Sequence, residues 1–358
     1  MTAESANMSI DFLIGFTIFM MAFIWVSAMI PGILVGLQSN TIDYDAVAYR
    51  TGVILMEDPG WPRSPGWESF EDERKADIVR FGLAVSSDTP NLLSGDKVER
   101  FFNVSTTNPD IGFVYPEEYQ SRVIFGDRPY HFNISLRDVE KERFLAVGEA
   151  IPNSHGYIRR LGKIKGASNA SLGSTYYTAH KYYNNEFDYD NVTIHEFAFE
   201  VDRNLLSTEI KDPNYQIDPT RDMLIMNLTQ LRSTLKTEKA VGANISAITV
   251  YAKTSVGIAR LGDMVQTDYP YVDGNTSRVD NLPFPVSDNV SFVFRPKEQF
   301  FANYMSGFPE LLVNVTFTLD TPAPYLNTSK SGPFVYNYHP DNVTQPQLRD
   351  AVMEVAVW

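Results

Sequence analysis

From Phe12 to Ile42 the chain carries no charged side chain, and most of that run, FLIGFTIFMMAFIWVSAMIPGILVGL, is apolar. No other feature restricts the fold as strongly, because so long an apolar segment must be covered by lipid or by protein. As a helix, Phe12 to Leu37 would extend roughly 40 Å at ~1.5 Å per residue, enough to cross a hydrocarbon core of ~30 Å. A cleavable secretory signal would instead show a basic leader and an apolar core of ~7–15 residues. The preceding MTAESA has neither Lys nor Arg, and the apolar run is about twice too long. One acid, Asp11, stands immediately before it in the phrase NMSIDF. Roughly fourteen large apolar side chains at ~0.3–0.6 kcal/mol each outweigh a single carboxylate costing ~3 kcal/mol even at the bilayer midplane. The sequence therefore predicts a helix that enters the membrane despite Asp11, and poses the question of why an acid begins it.

The remainder of the chain is roughly 300 residues of mixed polar and apolar character, enough for one large domain or two small ones, each with its own core. The net charge is −14 and the pI is near 4.8. Nucleic acid is not expected as a partner, since no basic patch is present to neutralise phosphates. The absence of cysteine excludes disulfides, thiolate metal sites and cysteine nucleophiles.

Twelve Asn-x-Ser/Thr sequons are present, at Asn7, Asn103, Asn133, Asn169, Asn191, Asn227, Asn244, Asn275, Asn289, Asn314, Asn327 and Asn342. The composition would supply roughly three by chance, and the excess predicts an extracellular, N-glycosylated segment after the span. The competing reading is that Asn-Val-Thr simply suits strand edges. Eight sequons have a branched or long aliphatic residue in the middle: Val104, Ile134, Val192, Leu228, Ile245, Val290, Val315 and Val343. In a strand, Asn and Ser/Thr would face water while that middle residue faces the core. The flanks YHFNISL, NVTIHEFAFEV, NISAITVYA, NVSFVFR and LLVNVTFTLD alternate in the same way. They predict a mainly antiparallel β ectodomain of sandwich type, so the fold class expected is α+β.

Helical spacing continues past the apolar run. At ~100° per residue, Leu37, Tyr44, Val47, Ala48, Thr51 and Leu55 share one stripe, with Asp43, Asp45 and Arg50 off it. Pro31-Gly32 is expected to kink or locally melt the helix and Asp58-Pro59-Gly60 to stop it. The expected organisation is a long N-terminal helix over 7–56, spanning the membrane over about 12–37, followed by a head over 57–358. Within the head, Ser69 reads as the N-cap of a helix through FEDERKADIVRFGLAV, with Asp72 completing a capping box. A second short helix is expected from Asp96 to Phe102.

This layout resembles the type IV pilin-like proteins of archaea, the superfamily of pilins and archaellins. The match covers Ala6 to about Leu37: a small residue before a cleavage point, Ala6, a polar one after it, Asn7, then Ser9 and Asp11 at the third and fifth positions of the mature chain. The sequence departs from the family in having Glu4 and Ser5 where Lys or Arg usually precede the cut. The resemblance implies a leader over 1–6, processing between Ala6 and Asn7, and self-association into a filament through the N-terminal helix, with Ser9 and Asp11 serving assembly. It also answers the question of the acid. A carboxylate and the new N-terminal amine of a neighbour, each costly alone among apolar helices, recover much of that cost by pairing. For an isolated span, Asp11 would instead sit solvated at the headgroup boundary.

No GxSxG, HExxH, P-loop or GxGxxG pattern occurs, and no catalytic residue, cofactor or metal site is assigned. His195-Glu196 falls in an alternating strand pattern that points the pair to opposite faces. The acidic stretch 184–191, NNEFDYDN, has oxygen ligands for Ca²⁺ but lacks the glycine and distal Glu of an EF-hand loop, and reads mainly as a solvated loop. YYTAHKYY offers a contact or carbohydrate surface, or simply strand tyrosines. Arg159, Arg160, Lys163 and Lys165 form a short basic run. Two functional classes remain: a glycosylated, non-enzymatic filament subunit at the cell surface, membrane-anchored before assembly, or a single-span anchored protein whose ectodomain binds glycan, surface layer or substrate.

Overall fold

A computed structural model describes residues 3–37, 43–70, 72–105, 112–123, 129–172, 178–180, 192–229, 243–263, 271–272, 277–278, 282–286, 289–296, 299–323 and 335–358. The chain divides into two units, Met1–Tyr44 and Asp45–Trp358.

The first unit is helix α1 (Ala3–Leu37), which runs through Pro31-Gly32. Helix α2 (Tyr44–Glu57) opens the second unit. The single helix expected over 7–56 is thus present as two described helices, with residues 38–42 between them outside the described residues. In α2 the predicted stripe is the buried one: Val47, Ala48, Thr51, Gly52, Leu55 and Met56 face inward, while Asp45 and Arg50 are exposed. The helix stops where Asp58 Oδ1 accepts from the Gly60 amide at 2.7 Å. Gly60 then takes φ +82°, which a side chain would disfavour, and a Cβ there would strike the Trp67 ring at 2.5 Å.

The strands, in chain order, are β1 (Leu92–Ser94), β2 (Val104–Ser105), β3 (Phe113–Val114), β4 (Phe132–Asp138), β5 (Arg143–Gly148), β6 (Gly156–Lys165) and β7 (Ser168–Leu172). Next come β8 (Thr178–His180), β9 (Val192–Asp202), β10 (Leu224–Leu228), β11 (Ala243–Thr254), β12 (Gly257–Asp263), β13 (Tyr271–Val272) and β14 (Ser277–Arg278). The last are β15 (Phe284–Val286), β16 (Val290–Phe294), β17 (Glu310–Ala323), β18 (Val335–Asn337) and β19 (Leu348–Val357). One sheet has the order β1-β6-β19-β4-β5, a second β14-β13-β16-β10-β7, and a third β12-β11-β17-β9-β18 with β15 and β8 attached. Most pairings are antiparallel; β1–β6, β7–β10, β9–β18 and β2–β3 are parallel. The architecture is an apolar N-terminal helix followed by a mainly β region.

The first sheet receives α2 on one face. Gly52 lets the helix approach so closely that a Cβ would meet Ile158 Cγ2 at 3.0 Å and Val355 Cγ2 at 3.8 Å. Beside this layer lies an aromatic cluster in which Trp67 and Phe81 stand 5.0 Å apart and Phe81 and Phe113 4.7 Å apart. Trp67 Nε1 donates to the carbonyls of Pro59 and Gly82 at 3.2 and 2.9 Å. A second core lies among the other two sheets: Leu224, Met226 and Phe292 of one, Ile248, Val250, Val313 and Val315 of the other, with Phe300 and Phe301 of a short helix.

The helix expected after Ser69 is not formed. The segment holds two short 3₁₀ turns, Trp67–Ser69 and Asp72–Asp77, and Ser69 Oγ donates to the Gly66 carbonyl at 2.6 Å instead of capping. The reason is tertiary. Ile78, Phe81, Leu83 and Ala84 are all buried, and consecutive burial of residues 82–84 does not fit the one-sided face of a surface helix. A seven-residue helix, α3 (Gly95–Phe101), lies further on.

Candidate functional site

Helix α1 holds the proposed processing and assembly residues Ala6, Asn7, Ser9 and Asp11 on consecutive helical backbone; their side chains lie outside the described residues. Phe12–Met29 is one 18-residue window of mean hydropathy 2.2 with none of it buried, long and apolar enough to cross a membrane. Phe12, Phe19 and Trp25 are between 62% and 74% exposed, so among the described residues nothing within the unit covers this apolar surface.

The sequons divide by face. Asn103, Asn289 and Asn342 are exposed, and Asn133, Asn169, Asn227, Asn244 and Asn314 are half-buried. Asn191, Asn275 and Asn327 lie outside the described residues. Five of the middle residues, Ile134, Leu228, Ile245, Val290 and Val315, lie in strands and are buried, because strand alternation sends them to the core as the Asn faces outward. Val343 is buried from a bend at 9% exposure, Val104 is only half-buried, and the side chain of Val192 lies outside the described residues. Asn169 and Asn227 are brought together on neighbouring strands: Asn227 Nδ2 donates to Asn169 Oδ1 at 2.7 Å, and Ser291 Oγ donates to Asn227 Oδ1 at 2.6 Å. Asn244 and Asn314 sit on the outward face of the third sheet, whose register places Asn244 opposite Thr318.

The basic run on β6 is not a patch. Arg159 and Lys163 pair with Glu354 at 3.8 Å and Asp350 at 2.7 Å. Arg160 turns to the other face and meets Glu57. Lys165 is buried and donates to Asp222 Oδ2 at 2.8 Å and the Gln216 carbonyl at 2.6 Å. Burial pushes the Asp222 carboxyl up, opposed by Lys165. His131 meets Glu149 and His339 meets Glu209, each at 3.0 Å. Among the described residues no group of three His, Asp or Glu is arranged to hold a metal. The acidic stretch 184–191 and the side chains of His180, His195, Glu196 and the surrounding tyrosines lie outside the described residues.

A cleft in the second unit, which no motif foretold, has a volume of about 360 Å³. One wall comes from the PGWPRSPGW turn and the 85–97 segment, bringing Arg63, Glu68, Ser86 and Lys97; the other brings Arg203, Thr220, Arg221 and Gln299. Lys97 is buried and donates to the Pro59 and Ala84 carbonyls, each at 2.9 Å. Burial holds its ammonium below the ordinary lysine value, with the charge of Glu68 acting the other way. Arg203 grips Asp218 with two bonds of 3.1 Å, and Arg221 joins the same carboxylate at 3.1 Å. Burial pushes the Asp218 carboxyl up, but the bonds from Arg203 and Thr220 and the charge of Arg221 overcome this and hold it below the usual value. Glu68 is 8% exposed, and its Oε2 has no hydrogen-bond partner among the described residues. The one sequence signal near these residues is the Pro- and Gly-rich turn, which marks a loop and says nothing about its charges.

No protein-family model matches the chain, and no solved structure matches it. The sequence is similar to an uncharacterized protein of Archaeoglobus fulgidus, with 25% identity over 136 residues, covering 32% of this chain and 71% of that protein.

Proposed function

We propose that the protein is a structural subunit of an extracellular filament of the type IV pilus kind, assembling through α1 and presenting a glycosylated head. The observation that carries this reading is the wholly unburied apolar window Phe12–Met29. Lipid covers such a helix in a monomer, and the same helix of neighbouring copies covers it in a filament. The register Ala6, Asn7, Ser9, Asp11 selects the second state, with residues 1–6 removed and Asp11 meeting a neighbour's N-terminal amine. The head is read as a sandwich formed by the second and third sheets, attached to the sheet that receives α2, and carries no catalytic activity. Its outward-facing sequon Asn residues are read as glycan acceptors at the cell surface.

The test is to express Asp11→Ala and Asp11→Glu in the native host, confirm equal membrane levels and count surface filaments. Removing one partner of a buried pair typically costs ~3–5 kcal/mol, so the Ala variant inserts into the membrane but assembles poorly, and the Glu variant recovers much of the assembly. Normal filaments from the Ala variant, or none from the wild type, would transfer support to the second reading, a single-span anchored protein whose head binds a ligand. The mixed-charge cleft is the observation that favours that alternative.

A further inference from the structure

We propose that the cleft between the 59–68 turn and the Arg203–Arg221 wall binds an acidic saccharide of the hexuronate class. The inference goes beyond the filament reading and does not depend on it, since the cleft lies wholly within the second unit.

The chemistry of the lining selects the ligand. Four cations, Arg63, Lys97, Arg203 and Arg221, face the cleft against two acids, Glu68 and Asp88, in a chain whose net charge is −14. Such a local inversion of sign attracts an anion. Lys97 is held by protein carbonyls, and Asp218 offsets one of the two charges of Arg203 and Arg221, so the cleft keeps a small positive excess. Arg63 is exposed and makes no ion pair among the described residues, which leaves its planar fork available for a carboxylate. The acceptor is Glu68. A nearly buried carboxylate oxygen without a donor is costly, and a ligand hydroxyl is the group that satisfies it. Thr220 and Ser306 already donate their hydroxyl hydrogens to Asp218 and to the Asn303 carbonyl, and Ser86 pairs with Thr89, so these oxygens offer acceptor positions along the wall, while the amide of Gln299 can both donate and accept. Gln299 is one of few non-glycine residues at positive φ, 57°, a conformation associated with functional positions.

These features ask for a molecule with several hydroxyls and at least one carboxylate. A neutral sugar leaves Arg63 unmatched, and among the described residues the lining offers no aromatic ring on which a neutral ring would stack. A bare anion leaves Glu68 unmatched. The volume of about 360 Å³ lies within the ~300–1,000 Å³ range of small-ligand sites.

The experiment uses the full-length chain in detergent, produced in a host without N-glycosylation so that its own sugars do not enter the cleft. Isothermal titration compares a galacturonic acid trimer, maltotriose and sodium sulfate. The expected result is saturable 1:1 binding of the uronate trimer, with maltotriose and sulfate each at least about tenfold weaker. Arg63→Ala, at an exposed side chain and with an unchanged melting temperature, lowers uronate affinity about tenfold and leaves maltotriose unaffected. Glu68→Gln lowers affinity for maltotriose, which carries no charge, and does not weaken sulfate binding, because removing an acid from the cleft cannot disfavour an anion. Failure of the trimer to saturate, uronate binding insensitive to Arg63→Ala, or sulfate binding as tightly as the trimer overturns the proposal, and none of these outcomes bears on filament formation.

Discussion

Asn227 directs its side-chain nitrogen along the sheet, 2.7 Å from Asn169 Oδ1 and 3.5 Å from Ser171 Oγ, while its oxygen accepts from Ser291. A glycan on that nitrogen would replace a hydrogen used within the sheet and run into β7. Asn342, by contrast, lies exposed on a loop. Glycopeptide mass spectrometry of native protein is therefore expected to find Asn342 occupied and Asn227 largely bare; full occupancy at Asn227 would show that sugar is added before the strand ladder forms. Trp67 tests a different residue-scale claim. Trp67→Phe keeps most of the apolar burial but removes the indole donor from the Gly82 carbonyl, whereas the Pro59 carbonyl retains Lys97. The expected loss is about 1–3 kcal/mol in denaturant unfolding. At Asp218 the pKa shift gives a pH prediction. Its folded pKa lies below the unfolded one, so its contribution is fully present above the unfolded value, near ~3.9, and fades as pH falls through the folded value. Asp218→Asn is expected to be less stable than wild type at neutral pH, with the gap narrowing below about pH 4 in thermal unfolding; a gap independent of pH would refute the assignment.

At the scale of elements, α2 and the 67–85 segment show opposite relations between pattern and structure. The α2 stripe is legible because one face meets one sheet, and a 3.6-residue period is what that contact requires. Gly52 belongs to that face, and its role is visible only from the partner side, where a Cβ would press on Ile158 at 3.0 Å and touch Val355 at 3.8 Å. Gly52→Val overpacks the contact. It is expected to lower stability by about 1–3 kcal/mol, read from the thermal midpoint of the head, while Arg50→Ala on the exposed face leaves it unchanged. The 67–85 segment offered a capping pattern and strong helix formers, yet it folds irregularly around Trp67 and Phe81. Local propensity is worth tenths of a kcal/mol per residue, and burying several large side chains is worth more.

Across the whole second unit, Lys165 at the end of β6 and Asp222 before β10 join the first sheet to the second core, with side chains only 5% and 4% exposed. Lys165→Met strands a buried carboxylate that burial already pushes toward protonation, with an expected loss of about 3–5 kcal/mol. Lys165→Met combined with Asp222→Leu is expected to regain most of it, because the uncompensated charge rather than the missing bond carries the cost. Chemical denaturation of the two variants checks this, and a double variant no better than the single one would mean that the pair positions the two cores.

What the sequence determined by itself is what periodicity and composition encode: an apolar helix that needs external cover, an amphipathic helix after it, strands that alternate, and strand sequons whose middle residue mostly lies in the core, Val104 being half-buried. Each rests on a local geometric rule, the period of a helix or the alternation of a strand. Only the tertiary structure decided the order of strands in three sheets, the parallel pairs β1–β6, β7–β10 and β9–β18, and the meeting of Arg63 and Glu68 with Arg203 and Arg221. Those depend on contacts between residues far apart in the chain, and no local period records them. The basic run on β6 shows the limit plainly: the pleat turns Arg160 away from Arg159, Lys163 and Lys165, and acids distant in the chain give each of the four a different partner.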